Sequence, residues 1–200
     1  MSGATNVIAA RSAERWRTID IVVAAIVGVV FGVVFWFWGA YVWSGLDPVF
    51  QAVKPAEYII SGVWLMPAVV APLIIRKPGA ALFAELVAAI VSAILGGPWG
   101  LDVILSGFVQ GAGAELIFAF GMYRSWGLIA AVLAGAAAAV GEAVHDIVIY
   151  YPSDQFGPQF QLAIAVVDVV SGVLIAGLGG WLLVRAVRRA GVLQSFPQPG

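Results

Sequence analysis

Six stretches of this sequence are long, apolar and free of lysine and arginine, and they constrain the fold more than any other feature. They are residues 19–38, 57–75, 80–95, 103–122, 127–150 and 161–184. An α-helix needs about 20 apolar residues to cross a hydrocarbon core of roughly 30 Å. The sequence therefore predicts an all-α fold, a six-helix transmembrane bundle.

Composition excludes several classes of protein. Of the 200 residues, 62% are hydrophobic and 10% are charged, whereas soluble domains average about 45–50% apolar and about 25% charged residues. The net charge of −1 offers no basic footprint for nucleic acid. With no cysteine and one histidine, disulfides, thiolate metal sites and multi-histidine zinc centres are excluded. We therefore expect no metal and no cofactor.

The basic residues sort almost entirely to one side of the predicted bundle. With six crossings, nine of the ten fall on the same side: Arg11, Arg15, Arg17, Arg76, Lys77, Arg124, Arg185, Arg188 and Arg189. The positive-inside rule makes that side cytoplasmic, so both termini are expected in the cytoplasm. The predicted organisation is a cytoplasmic segment 1–18, a domain 19–187 in the cell membrane and a cytoplasmic tail 188–200.

The opposite, outer side carries Lys54 and the longer connections, 39–56, 96–102 and 151–160. Four tryptophans fall near this interface, as in the aromatic belt of membrane proteins: Trp36, Trp38, Trp43 and Trp99. Long outer loops over a bundle indicate a lid on an outward-facing cavity. The alternative is that they simply connect the helices.

Acidic residues inside the apolar stretches are the most informative chemical feature. The six are Glu57, Glu85, Glu115, Glu142, Asp146 and Asp168, and no lysine or arginine shares their stretches. Insertion of such an acid costs about 2.5–3.5 kcal/mol, so these groups are protonated and structural, carry protons, or receive a cationic ligand. Glu57 and Asp146 lie near enough to the interface to be simply hydrated. For Glu85 and Glu115, structural and functional roles are equally open.

Depth arithmetic brings four polar or aromatic residues into one layer. At 1.5 Å of rise per residue, Trp64, Gln110, Glu142 and Asp168 lie roughly 10–12 Å below the outer ends of their helices. His145 shares a helix face with Glu142. Carboxylates, an amide and an indole suit a flat, cationic heteroaromatic ligand, because the indole face attracts cations. The alternatives are that Trp64 is a packing residue and His145 a satisfied polar residue.

A stripe of small residues runs along the first stretch, at Ala24, Gly28 and Gly32. Small residues every four positions let two helix backbones approach closely within lipid. The stripe therefore serves either packing within the bundle or docking of a second membrane protein.

Specific strings add a family resemblance. Residues 64–85 (WLMPAVVAPLIIRKPGAALFAE), 96–101 (GGPWGL) and 107–118 (GFVQGAGAELIF) resemble the YkoE family of substrate-binding S-components of energy-coupling factor (ECF) transporters. The same architecture of six helices, long outer loops and an outer polar layer is similar to S-components in general.

The resemblance implies a function that the residues alone do not reach. It implies capture of thiamine or its hydroxymethylpyrimidine precursor, by a subunit that is not itself an enzyme. It implies docking, through the small-residue stripe, on a transmembrane coupling protein driven by two cytoplasmic ATPases. Glu85, Gln110 and Glu115 lie inside the matching strings, whereas Glu142, His145 and Asp168 are candidates from depth and charge.

Two other functions stay open at this point. In a stand-alone proton-coupled carrier, the intramembrane acids would serve as proton relays. In an intramembrane hydrolase, Ser61 or Ser106 would need His145 as its base, but the sequence has no G-x-S-x-G motif. A P-loop is also absent from the sequence, so ATP would have to be hydrolysed by partner proteins.

Overall fold

The computed structural model describes residues 15–193, and every regular element in that range is helical. The elements are α1 (Thr18–Phe37), a π-helical segment (Trp38–Trp43), α2 (Ser44–Phe50), a 3₁₀ segment (Gln51–Leu65), α3 (Met66–Ile75), α4 (Ala80–Ile94), α5 (Asp102–Phe120), α6 (Leu128–Ile149), α7 (Pro158–Ser171), a second π-helical segment (Gly172–Gly179) and α8 (Gly180–Arg189). The predicted all-α class is confirmed for this range. The predicted terminal segments 1–18 and 188–200 lie partly outside it, at residues 1–14 and 194–200.

Four helical runs within residues 15–193 are long and apolar enough to cross a membrane: Thr18–Ile75, Asp102–Phe120, Leu128–Ile149 and Pro158–Arg189. The apolar helix α4 is shorter, at 15 residues. The first run contains 58 residues, far more than one crossing requires. Its connection 39–56, predicted as a loop, is helical apart from Val53 (φ −139°, ψ 66°).

The two arms of the 58-residue run, one before and one after this connection, contact each other. The indole Nε1 of Trp38 donates a hydrogen bond of 3.1 Å to the carbonyl oxygen of Ile60, and α1 packs against α3. Two of the predicted stretches are therefore arms of one helical run that folds back on itself.

Helix α3 is the centre of the bundle. All its residues from Pro67 to Ile75 are buried, and it contacts α1, α4, α5, α6 and α8. A helix that is apolar on every side is stable only when it is surrounded, which α3 achieves. It ends at Arg76, whose left-handed backbone (φ 56°) turns the chain toward α4.

The basic residues mark one end of the bundle. There the indole of Trp16 donates to Pro78 O at 2.9 Å, and the guanidinium of Arg188 donates to Leu73 O at 2.9 Å. The start of α1, the turn 76–79 and the end of α8 therefore lie together. The connections 96–101 and 151–157 lie at the other end.

The small-residue stripe of α1 packs inside the bundle. A Cβ on Gly28 would lie 2.6 Å from Val87 Cβ and 2.9 Å from the Ala84 carbonyl oxygen, and Gly32 meets Val91 and Ala88 in the same way. Ala24 is fully buried. The predicted docking surface at Ala24, Gly28 and Gly32 is therefore covered by the chain's own helix α4, as the packing alternative describes.

Replacement of Gly28 by alanine tests this contact. We expect Gly28→Ala to lower the free energy of unfolding by about 1–3 kcal/mol, because the added methyl group overlaps Val87 and a backbone carbonyl. Thermal unfolding in detergent measures the effect. Gly45→Ala is the matched control, since a Cβ there meets nothing within 4 Å; equal stability of the two variants would contradict the packing.

Candidate substrate-binding site

A cavity of about 290 Å³ opens near the end of the bundle that carries the connections 96–101 and 151–157. This volume is close to the lower range of small-molecule sites, about 300–1,000 Å³. It is lined by Phe35, Trp43, Lys54, Tyr58, Trp64, Ala89, Ser92, Trp99, Asp102, Val103, Ser106, Gln110, Glu142, His145, Asp146, Tyr150 and Tyr151.

One wall of the cavity is aromatic. The ring centroids of Trp43 and Trp64 are 4.9 Å apart, and those of Trp64 and Trp99 are 5.2 Å apart with an interplanar angle of 86°. Tyr58 meets Trp43 edge to face at 5.6 Å. Such rings present a negative π-face that attracts flat cations. Trp43 and Trp99, predicted as belt residues, belong to this wall because the helical connection 39–56 and the loop 96–101 fold over the cavity.

The polar part of the lining comes mainly from α5 and α6. Asp102, Ser106 and Gln110 are spaced by four residues, so they share one face of α5. The amide Nε2 of Gln110 donates 2.8 Å to Ser106 Oγ, which orients the amide beside the cavity. Glu142 and His145 project from α6.

His145 lies between two carboxylates. Its Nδ1 is 2.8 Å from Asp146 Oδ1 and its Nε2 is 3.3 Å from Asp102 Oδ1. The hydroxyl of Tyr58 donates 2.7 Å to Asp146 Oδ2. This chain of hydrogen bonds joins the 3₁₀ segment, α5 and α6 across the cavity. Asp146, which lies near enough to the interface to be simply hydrated, is also held by hydrogen bonds with Tyr58 and His145.

Glu142 and Asp168 form a buried carboxyl pair. Asp168 is fully buried and Glu142 is 5% exposed, and the two side chains are neighbours. The hydroxyl of Ser61 donates to Asp168 Oδ1. Asp168 Oδ2 and Glu142 Oε2 have no hydrogen-bond partner among residues 15–193. Glu142 thus connects the cavity to Asp168, which stands behind the lining.

Glu57 forms an ion pair within the chain. Lys54 Nζ lies 2.5 Å from Glu57 Oε2 and also pairs with Asp47. Glu57 is fully buried, so the prediction that it is simply hydrated is wrong. Its partner was missed because Lys54 precedes the apolar stretch that contains Glu57.

Glu85 and Glu115 lie outside the cavity lining and bind helix N-termini. Fully buried Glu85 accepts a 3.0 Å hydrogen bond from the backbone N–H of Ala68, in the first turn of α3. Glu115 accepts hydrogen bonds from Gly79 N at 2.6 Å and Ala81 N at 3.0 Å, at the start of α4. The first N–H groups of a helix lack intrahelical partners and favour negative charge. Both acids, predicted to bind substrate, therefore cap neighbouring helices.

The turn at Tyr123 supports the position of Glu115. Burial and a hydrogen bond to Glu115 raise the pKa of Tyr123 to about 12, so the phenol stays protonated at neutral pH and can act as a hydrogen-bond donor.

The predicted site residues thus fall into two groups. Trp64, Gln110, Glu142 and His145 meet at the cavity, with Asp168 directly behind. Glu85 and Glu115 lie outside the cavity lining and bind helix N-termini. The lining residues that were not predicted as site residues are Phe35, Trp43, Lys54, Tyr58, Ala89, Ser92, Trp99, Asp102, Val103, Ser106, Asp146, Tyr150 and Tyr151. The four-residue spacing of Asp102, Ser106 and Gln110 is a signal that would have found two of them.

The two serines considered for a hydrolase have other partners. Ser61 Oγ contacts Asp168 and the Tyr58 carbonyl oxygen, and Ser106 Oγ accepts from Gln110. In the described part of the chain, no hydrogen bond joins either serine to His145.

Known proteins place this arrangement in a family. A family model described as the permease component of an ABC-type cobalt transport system matches residues 19–141. A crystal structure of an S-component of an ECF transporter superposes with a TM-score of 0.84 and 33% identity, over 90% of each chain. The Bacillus subtilis (strain 168) protein YkoE, named as an HMP/thiamine permease, is 35% identical over 187 residues, 92% of this chain and 90% of its own length.

Fold and relatives together define a membrane transport subunit and not an enzyme. The S-component match and the YkoE match each cover nine tenths or more of the chain. The chain belongs to the YkoE family of ECF-transporter S-components.

Replacement of the carboxyl group by an amide should affect stability differently at Glu115 and at Glu142. We expect Glu115→Gln to lower the free energy of unfolding by about 1–3 kcal/mol, because charge-assisted hydrogen bonds to the start of α4 are lost. Glu142→Gln should not lower it, because the change removes one of two adjacent buried carboxyls. Thermal unfolding of both variants in detergent measures this, and equal losses would contradict the assignment of the two roles.

Proposed function

We propose that the cavity captures thiamine, or its hydroxymethylpyrimidine precursor, for uptake into the cell. The observation that carries this proposal is that aromatic rings and carboxyl groups line the same cavity. The name of the B. subtilis relative supports the same ligands.

Each part of the lining matches one part of a thiamine molecule. The ring faces of Trp43, Trp64 and Trp99 suit a permanently cationic thiazolium, an attraction of about 2 kcal/mol or more when the site is desolvated. Glu142 would offset the positive charge. Gln110, with one donor group and one acceptor, would pair with the aminopyrimidine.

We assign supporting roles to the groups behind these contacts. Asp168 acts through Glu142, and His145 holds the polar part of the lining together through Asp102 and Asp146. Glu85 and Glu115 remain outside the binding site in this proposal.

We further propose that the chain crosses the membrane six times with both termini in the cytoplasm. The folded-back run Thr18–Ile75 would supply two crossings, α4 a short one, and the remaining long runs three. Arg76, Lys77, Arg124 and the arginines of α8 belong to one end of the bundle, and the positive-inside rule assigns that end to the cytoplasm. The cavity would then open to the exterior.

Energy for uptake would come from other subunits. The sequence has no P-loop, and S-component relatives imply a transmembrane coupling protein with two cytoplasmic ATPases. Because Ala24, Gly28 and Gly32 are covered by α4, the coupling protein would contact a surface other than this stripe.

Charge separates the two candidate ligands. We expect Glu142→Gln to weaken thiamine binding about 10- to 100-fold, because a hydrogen bond or ion pair to a charged group contributes about 1.5–3 kcal/mol. Hydroxymethylpyrimidine, which lacks the cation, should lose much less. Isothermal titration calorimetry on the purified protein measures both.

Asp154→Asn is the matched control for this experiment, because Asp154 is exposed in the connection 151–157 and does not line the cavity. Equal losses for both ligands in Glu142→Gln would contradict the cation assignment. An absence of binding by either ligand to the unmodified protein would contradict the proposed function.

Reconstitution distinguishes the subunit from a stand-alone carrier. We expect liposomes that contain this chain alone to accumulate no labelled thiamine under a pH gradient, because the chain has no ATPase of its own. Addition of a coupling protein and ATPases with ATP should start uptake. Accumulation by the chain alone would support the proton-coupled carrier instead.

A further inference from the structure

The carboxyl pair of Glu142 and Asp168 has no cation of its own in the described part of the chain. Asp168 is fully buried, Glu142 is 95% buried, and one oxygen of each lacks a hydrogen-bond partner there. Two adjacent carboxylates in a low-dielectric interior repel each other strongly. A single proton between them would remove one charge and supply the missing donor, as in other carboxyl pairs.

The groups that face this pair do not replace such a proton. They are Glu85 from α4, Asp146 and His145 from α6 itself, Tyr58 and Ser61 from the 3₁₀ segment, and Lys54 at the cavity wall. Glu85 and Asp146 add negative charge. His145 is bound by Asp146 and Asp102, Tyr58 donates to Asp146, and Lys54 is paired with Asp47 and Glu57.

Ser61 supplies the pair with one hydrogen bond only. Its hydroxyl donates to Asp168 Oδ1 and leaves Oδ2 without a hydrogen-bond partner among residues 15–193. The pair therefore still lacks a positive charge or a further hydrogen-bond donor. Glu142 is the member of the pair that lines the cavity.

We propose that the Glu142–Asp168 pair is a proton site, and that a cationic ligand in the cavity displaces its proton. This inference rests on the proposed function, because it requires a cationic ligand at that cavity. Binding of thiamine would then be an exchange of one positive charge for another. Binding of the uncharged pyrimidine would leave the proton in place.

Calorimetry in several buffers tests the exchange. Full-length protein is titrated with thiamine, and separately with hydroxymethylpyrimidine, at one neutral pH in buffers of different ionisation enthalpy. The dependence of the binding enthalpy on the buffer gives the number of protons released. We expect about one proton for thiamine and about zero for the pyrimidine.

Asp168→Asn is the decisive variant. The asparagine keeps an oxygen for Ser61 and offers its amide N–H to Glu142, which takes the place of the shared proton. Thiamine should still bind, but its release of protons should fall to about zero. Asp154→Asn is the matched control, and proton release should persist in it, because Asp154 is exposed in the connection 151–157 and does not line the cavity.

Every outcome decides the inference. Thiamine binding without proton release overturns the proton site and leaves the proposed function standing. Release that survives Asp168→Asn assigns the proton to another group and also overturns it, and so does release that disappears in Asp154→Asn. If neither ligand binds, the proposed function fails as well, and the lack of any heat of binding identifies that case.

Discussion

A carboxyl group inside an apolar helix bundle must find a cation, a set of hydrogen-bond donors or a proton, because an isolated buried charge is too costly to retain. Most of this structure follows from how its acids meet that requirement. Glu57 meets it with Lys54, Glu85 with the start of α3 and Glu115 with the start of α4. Glu142 and Asp168 have no cation and, like Glu85, keep one oxygen without a hydrogen-bond partner in the described part of the chain; unlike Glu85, they lie at the cavity lining and directly behind it.

This division separates stability from binding. The donors that serve Glu85 and Glu115 are backbone N–H groups that the helices would otherwise leave unpaired. These two acids therefore connect neighbouring helices and stabilise the bundle. At the cavity, Trp43, Trp64 and Trp99 share the lining with Glu142, so a carboxyl group that has no cation in the described part of the chain lies where a ligand can reach it.

Much of the fold was predictable, because apolar length reports helices directly. The predicted stretch 80–95 corresponds to α4 (Ala80–Ile94), and the stretch 127–150 to α6 (Leu128–Ile149). The helical character of 39–56 was not predictable from apolar length, since Gly45, Pro48 and Pro55 interrupt this connection. It is helical in part because it packs over the cavity, where Trp43 contacts Trp64 and Trp99.

The sequence predicted how deep the candidate site residues lie along their helices, but not which way their side chains point. Because a helix rises by a constant amount per residue, the sequence by itself determined that Trp64, Gln110 and Glu142 share one layer. Rotation about each helix axis and the choice of neighbours depend on packing among all the helices, which no local spacing encodes. Only the tertiary structure decided that Glu85 and Glu115 cap other helices, that the stripe at Gly28 and Gly32 meets α4, and that Asp168 stands behind Glu142.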